Sequence, residues 1–230
     1  MTQTAHLRRQ ARAVRITRDR LALAATLLLP AAAAPVPCVV FVHGLGSGKD
    51  SPRNVVIAER LVDAGIAALL FDLSGHGESD ADPRETGEAF VEDLEAVFHW
   101  AAAQPEIDPR RIGVAGSSLG GLVALDATRR RLIRPAALVL RAPPAEHHHF
   151  ANIEVPSLVI IGSGDPLFGE VREAVRLGDN VAISVVRGAG HLFEEPGALE
   201  EAMNRTVTWF KQNLTDEIRA GPESETGEVD

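Results

Sequence analysis

Ile112-Gly113-Val114-Ala115-Gly116-Ser117-Ser118-Leu119-Gly120-Gly121-Leu122-Val123-Ala124-Leu125 runs an apolar strand straight into an apolar-faced helix, with two serines at the joint. A side chain held on so tight a strand-to-helix turn needs a strained backbone, and the positions two residues away on either side have no room for a Cβ. Gly116 and Gly120 meet that demand around Ser118, and Gly121 adds space. Ser117 is the rival, but the glycines flank Ser118 symmetrically. A hydroxyl placed there stands at a helix N-terminus, where unpaired N–H groups and the helix dipole favour developing negative charge. Arg129, Arg130 and Arg131 end the same helix and read as a solvated, dipole-compatible terminus.

Outward from this joint, short apolar runs alternate with amphipathic ones, the pattern of a mainly parallel sheet with helices on both faces. Val14–Thr17 and Leu21–Leu29 read as an antiparallel hairpin turning at Arg18-Asp19. The apolar run into Ala34 also resembles a signal peptide. Asp19 within the basic stretch and Pro30 at the end of the run favour the strand. Strands are expected at Cys38–Val42, Ala67–Phe71, Arg111–Ala115, Ala136–Arg141, Ser157–Ile161 and Val181–Val186. Pro52–Ala64 predicts a helix, with Ser51 as N-cap, Pro52 at its first position and Gly65 past its end. Phe90, Leu94, Val97, Phe98 and Ala101 share one face of a helix over Glu85–Ala103. Gly169–Leu177 and Ala198–Leu214 complete the helices, the last with Leu199, Met203, Val207, Phe210 and Leu214 inward. Residues 1–214 therefore read as one domain of about eight strands, and the acidic 215–230 as a disordered tail.

Beyond Ser118, two residues follow strands on glycine-loosened loops: Asp165 in Gly162-Ser-Gly-Asp-Pro166, and His191 in Gly188-Ala-Gly-His191. Singly, Asp165 is an ordinary turn aspartate and His191 a loop histidine. Together, nucleophile, acid and base occur in one order, each at the carboxyl end of a strand, the edge where open parallel sheets bind ligands. In such a set Ser118 attacks an acyl carbon, His191 carries the proton, and Asp165 orients the imidazole. Two donors must then meet the oxyanion. The N–H of Leu119 is one, and the loop His43-Gly-Leu-Gly-Ser-Gly48 offers the N–H of Leu45 as the other. Gly48-Lys49 is no phosphate loop, because His43 and Asp50 stand where Gly and Ser or Thr are required. His43 and His76 read as structural. The run His147-His148-His149, expected on a loop, has no carboxylate or thiol at ligand spacing, so no metal is expected.

The composition excludes other classes. A net charge of −9 over 230 residues opposes nucleic-acid binding. A lone cysteine, Cys38, inside an apolar strand forms no intrachain disulfide and fits a cytoplasmic location. No apolar run is long enough to span a bilayer. A homo-oligomer stays open.

On His43-Gly-Leu45, Asp72 through Ser79, Gly116 through Gly120, Gly162 through Asp165 and Gly190-His191, the chain resembles the α/β-hydrolases, in plan the dienelactone-hydrolase-like and small carboxylesterase branch. The resemblance runs from about Val14 to Leu214. It implies a cofactor-free serine hydrolase acting on small-molecule acyl esters. Thioesterase, peptidase, acyltransferase and non-catalytic binding module are the alternatives. Dienelactone hydrolases use a cysteine nucleophile where this chain has Ser118, so dienelactone itself is not implied. Only Ala142–Pro156 separates the sixth and seventh strands, too little for the helical cap of many esterases. An uncapped site implies small or accessible esters and no interfacial activation.

Overall fold

The computed structural model describes residues 10–32, 35–84 and 86–215; the expected tail lies outside them but for Thr215. In chain order the elements are β1 (Gln10–Arg18), β2 (Leu21–Leu29), β3 (Val36–Val42), α1 (Pro52–Asp63), β4 (Ala67–Phe71), α2 (Gly87–Ala102) and β5 (Ile107–Ser117). They continue with α3 (Leu119–Arg129), β6 (Ala137–Arg141), α4 (His147–Phe150), β7 (Ser157–Gly162), α5 (Phe168–Val175), β8 (Val181–Val186) and α6 (Ala198–Leu214). One eight-stranded sheet runs β1-β2-β4-β3-β5-β6-β7-β8. β1 and β2 pair antiparallel, β2 is antiparallel to β4, and every later pairing is parallel.

Strand alternation divides the core between the two faces. Cys38, Val40 and Val42 of β3 pack with Leu94 and Val97 of α2 and Val123 of α3. Val39 and Phe41 pack on the other face with Ile57 and Leu61 of α1 and Met203 and Phe210 of α6. Both faces are covered, which is why the central strands read as unbroken apolar runs. Gly113 marks where α6 presses closest: a Cβ there would lie 2.6 Å from the Phe210 ring.

The chain builds β4 on one side of β3 and then returns to build β5 on the other. The carboxyl ends of β3 and β5 therefore diverge at a topological switch point, where such sheets open a crevice.

Several boundaries differ from expectation. The hairpin turns at Asp19-Arg20, because Asp19 accepts φ 53° and Arg18 stays paired with Leu21. β1 begins at Gln10: residues 10–13 are all exposed at the sheet edge, so no apolar alternation marks them as strand. β5 begins at Ile107, ahead of an irregularity opposite Val36 and Cys38. Ser51 occupies the α1 N-cap but its side chain makes no cap bond, while Pro52 fills the first turn. The histidine run is not a loop but the single-turn helix α4, started by a capping box between Glu146 and His149. The other segment between β6 and β7 is irregular, with no room for a cap.

Candidate active site

Ser118 follows β5 directly and caps α3 with φ 50° and ψ −120°, a conformation an L-residue adopts only under strain. The strain is held from all sides. Its N–H donates to the Arg141 carbonyl at 2.8 Å, and its own carbonyl accepts from Gly121 N–H at 2.8 Å. A Cβ on Gly116 would sit 2.6 Å from Gly121 Cα, and one on Gly120 2.5 Å from the His43 carbonyl oxygen. The steric demand read from the sequence is thus present at both flanking positions.

Asp165 and His191 are delivered by the loops after β7 and β8. Those loops are pressed together, for a Cβ on Gly162 would meet the Ala189 and Gly190 backbone. Hydrogen bonds zip them: Gly164 N–H to Ala189 O at 2.8 Å, and Gly188 N–H to Ser163 Oγ at 2.8 Å. Asp165 is buried, and its Oδ1 accepts from Leu167 N–H at 2.9 Å. Its Oδ2 lies 2.8 Å from His191 Nδ1. His191 Nε2 lies 3.2 Å from Ser118 Oγ. A carboxylate oxygen only accepts, so Nδ1 carries the proton and the Nε2 lone pair faces the serine hydroxyl. Ser117 closes the strand opposite Arg141, and the hydroxyl within reach of the imidazole is that of Ser118.

The loop after β3 lies against the joint: a Cβ on Gly44 would be 3.5 Å from Ser118 Cβ. Among the described residues neither Leu45 N–H nor Leu119 N–H is engaged in a hydrogen bond. His43 shapes this loop from beneath. Its Nδ1 donates to Gly44 O at 2.8 Å and its Nε2 accepts Leu73 N–H at 3.0 Å, while burial pushes its pKa below the ordinary imidazole range. Next to it Asp72, buried, accepts from Lys49 N–H at 2.6 Å and Glu78 N–H at 3.0 Å, pinning the glycine turn that carries His76. His43 and His76 stand ring to ring at 5.1 Å in this scaffold. Burial pushes the Cys38 thiol up to about 12, leaving it without nucleophilic character.

The site faces solvent. His191 is about one-third exposed, Leu45 76% and Leu192 47%. Surface hollows of about 660 Å³ (Asp108, Arg111, Asn213) and 320 Å³ (Thr128, Arg134, Glu154) lie at the amino ends of the strands, away from Ser118. Arg129, Arg130 and Arg131 pair with Asp126, Glu88 and Glu154 at the exposed end of α3. Among the described residues no group of three or more His, Cys, Asp or Glu is placed to hold a metal, and no helix is long and apolar enough to cross a membrane. The side chains of His147 and His148 lie outside the described residues. Sequence reasoning passed over two buried polar residues beside the site, Arg141 and Asn54. Their only signal was an arginine closing the apolar strand Ala-Leu-Val-Leu-Arg141 and an asparagine on the buried side of a helix.

This sheet order, with helices on both faces and a serine on the strained turn after β5, defines an α/β-hydrolase. The family described as serine aminopeptidase, S33, matches residues 33–154, and the chain belongs to it. The dienelactone hydrolase from Anabaena variabilis superposes with a TM-score of 0.80 at 28% identity, over 90% of this chain and 99% of that one. Est1E from Butyrivibrio proteoclasticus, solved with ferulic acid bound, shares the fold at TM-score 0.79 and 19% identity, over 88% of this chain and 99% of that one. A putative phosphoribosyl transferase of Mycobacterium tuberculosis is 35% identical over 191 residues, 78% of this chain but 42% of that protein. The chain thus spans about two fifths of that relative's length.

Proposed function

We propose that the protein is a serine esterase in which Ser118, His191 and Asp165 form a catalytic triad acting on small acyl esters. The observation that carries this is the unbroken line from Asp165 Oδ2 through the His191 ring to Ser118 Oγ, at 2.8 and 3.2 Å. Ser118 Oγ attacks the acyl carbon as its proton passes to His191 Nε2. The buried Asp165 carboxylate holds Nδ1–H in place and balances the imidazolium. The carbonyl oxygen, now an oxyanion, takes the N–H groups of Leu45 and Leu119 and the positive end of α3. Collapse breaks the C–O bond to the alcohol, which takes the proton from His191 and leaves an acyl-Ser118. A water molecule, deprotonated by His191, attacks that acyl group. The serine leaves with the returned proton and the acid is released.

The exposed Leu45 and Leu192 and the short β6–β7 connection support small or accessible substrates. The S33 family's description as aminopeptidases makes peptide amides the second reading. The same machinery serves both, and the leaving group decides. The test is a panel of oxygen esters, thioesters and aminoacyl amides with wild type and Ser118→Ala. Ester turnover should fall at least about 10⁴-fold in the variant, with the melting temperature unchanged. Equal turnover in both proteins would refute the assignment, and preference for aminoacyl amides would select the second reading.

A further inference from the structure

Arg141 closes β6 as the sole charge in an otherwise apolar strand, and it is 4% exposed. Its guanidinium donates to Oδ1 of Asn54, itself buried in the first turn of α1. Its Nε has no hydrogen-bond partner, and among the described residues no carboxylate pairs with it. Burial, with Arg53 nearby, pushes the guanidinium down to about 10. A buried cation without a counter-charge destabilises the fold, and an apolar side chain of similar volume would pack there at lower cost. The residue therefore needs an explanation other than packing.

Its two ends give one. The backbone carbonyl of Arg141 accepts the N–H of Ser118 at 2.8 Å, and Arg141 pairs in register with Ser117. Its side chain binds α1, the helix entered directly from the loop that carries Leu45. That loop and the elbow touch, since a Cβ on Gly44 would lie 3.2 Å from the Ser117 carbonyl oxygen. Yet among the described residues no hydrogen bond joins residues 44–50 directly to residues 117–122. Arg141 bridges them with a rigid planar group that fixes direction as well as distance.

We propose that Arg141 is a positioning residue that, through Asn54, holds the two halves of the oxyanion hole in register. The proposal rests on the esterase reading above. A displacement of about 1 Å between two donors costs on the order of 10² in rate. The oxyanion forms only after attack, so the loss falls on kcat.

The experiment compares wild type, Asn54→Leu, Arg141→Met and Asn54→Asp. It measures ester kcat and KM, melting temperature, and the Kd of an alkyl boronic acid, whose tetrahedral serine adduct places an oxygen in the hole. Asn54→Leu and Arg141→Met should lower kcat about 10- to 100-fold with KM within about twofold. Boronate Kd should rise by the same factor. Asn54→Asp, which restores an acceptor for the guanidinium, should recover most of the kcat lost in Asn54→Leu. Should Arg141→Met fail to fold, Asn54→Leu decides. A folded Asn54→Leu with wild-type kcat, a loss confined to KM, or no recovery in Asn54→Asp overturns the clamp. A wild type that neither turns over esters nor is labelled at Ser118 by a fluorophosphonate overturns the esterase reading, and the clamp with it. An active wild type with unchanged variants overturns the clamp alone.

Discussion

Replacing Gly120 by alanine inserts one methyl where the first turn of α3 already meets the backbone at the end of β3. Its carbon would lie 2.5 Å from the His43 carbonyl oxygen and 2.7 Å from the Val42 carbonyl carbon, both at the end of β3. Neither atom can rotate away, as a side chain could. Ordinary contact begins near 3.4 Å, so α3 must shift by about 1 Å from β3. Overpacking of this kind costs about 1–3 kcal/mol. In a domain of this size that lowers the melting temperature by about 2–12 °C. The same shift carries Ser118 and the Leu119 N–H off line, so kcat/KM should fall about 10²-fold. The assay is p-nitrophenyl acetate hydrolysis beside thermal melting followed by circular dichroism. Gly65→Ala is the control. Gly65 has φ 80° and open space around it, so alanine there adds backbone strain far from Ser118. It should melt about 2–4 °C lower, the effect of ~1 kcal/mol, with unchanged kcat/KM. A Gly120→Ala protein with wild-type melting and turnover would refute the steric argument. Equal activity loss in Gly65→Ala would show that the loss reflects stability alone.

Two further outcomes follow from the geometry. His43 is neutral and accepts the Leu73 N–H in the folded protein, with its pKa lowered by burial. The unfolded chain therefore takes up this proton first, so the contribution is constant above the unfolded imidazole value, about 6.5, and stability falls as pH drops below it. The slope reaches at most about 1.4 kcal/mol per pH unit, and denaturation midpoints between pH 7 and 5 should fall less steeply in His43→Gln; parallel curves would contradict this. With Leu45 and Leu192 exposed and no insertion between β6 and β7, turnover of short-chain nitrophenyl esters should rise smoothly through the micelle-forming concentration. A sharp jump there would mean that a cover opens over the site.

Much of the sheet was legible because burial imposes short-range periodicity. β3, β4 and β6 have every residue buried, and each stood out as an apolar run. The helix over α2 was marked by Leu94, Val97, Phe98 and Ala101, all buried on one side. The misses have the opposite cause. Residues 10–13 form strand because β2 offers them a partner, not because they seek burial. Residues 107–110 join β5 in part through the pairing of Ile107 with Val36, a contact far away in the chain. α4 depends on one reciprocal cap between Glu146 and His149, too small a signal against the surrounding prolines and histidines.

The residues alone determined that a serine would sit on a turn with no room for side chains beside it, since that constraint lies within five consecutive positions. They likewise determined the succession of strands and helices, apart from α4. Tertiary structure decided what those patterns could not encode. It chose which strand ends became neighbours, brought His191 to Ser118 across 73 residues of chain and Asp165 to His191 across 26, and set Arg141 between the elbow and Asn54. Periodicity reports only which face of its own element a side chain occupies. Proximity between distant loops arises when a whole sheet closes over a shared core and aligns the strand ends.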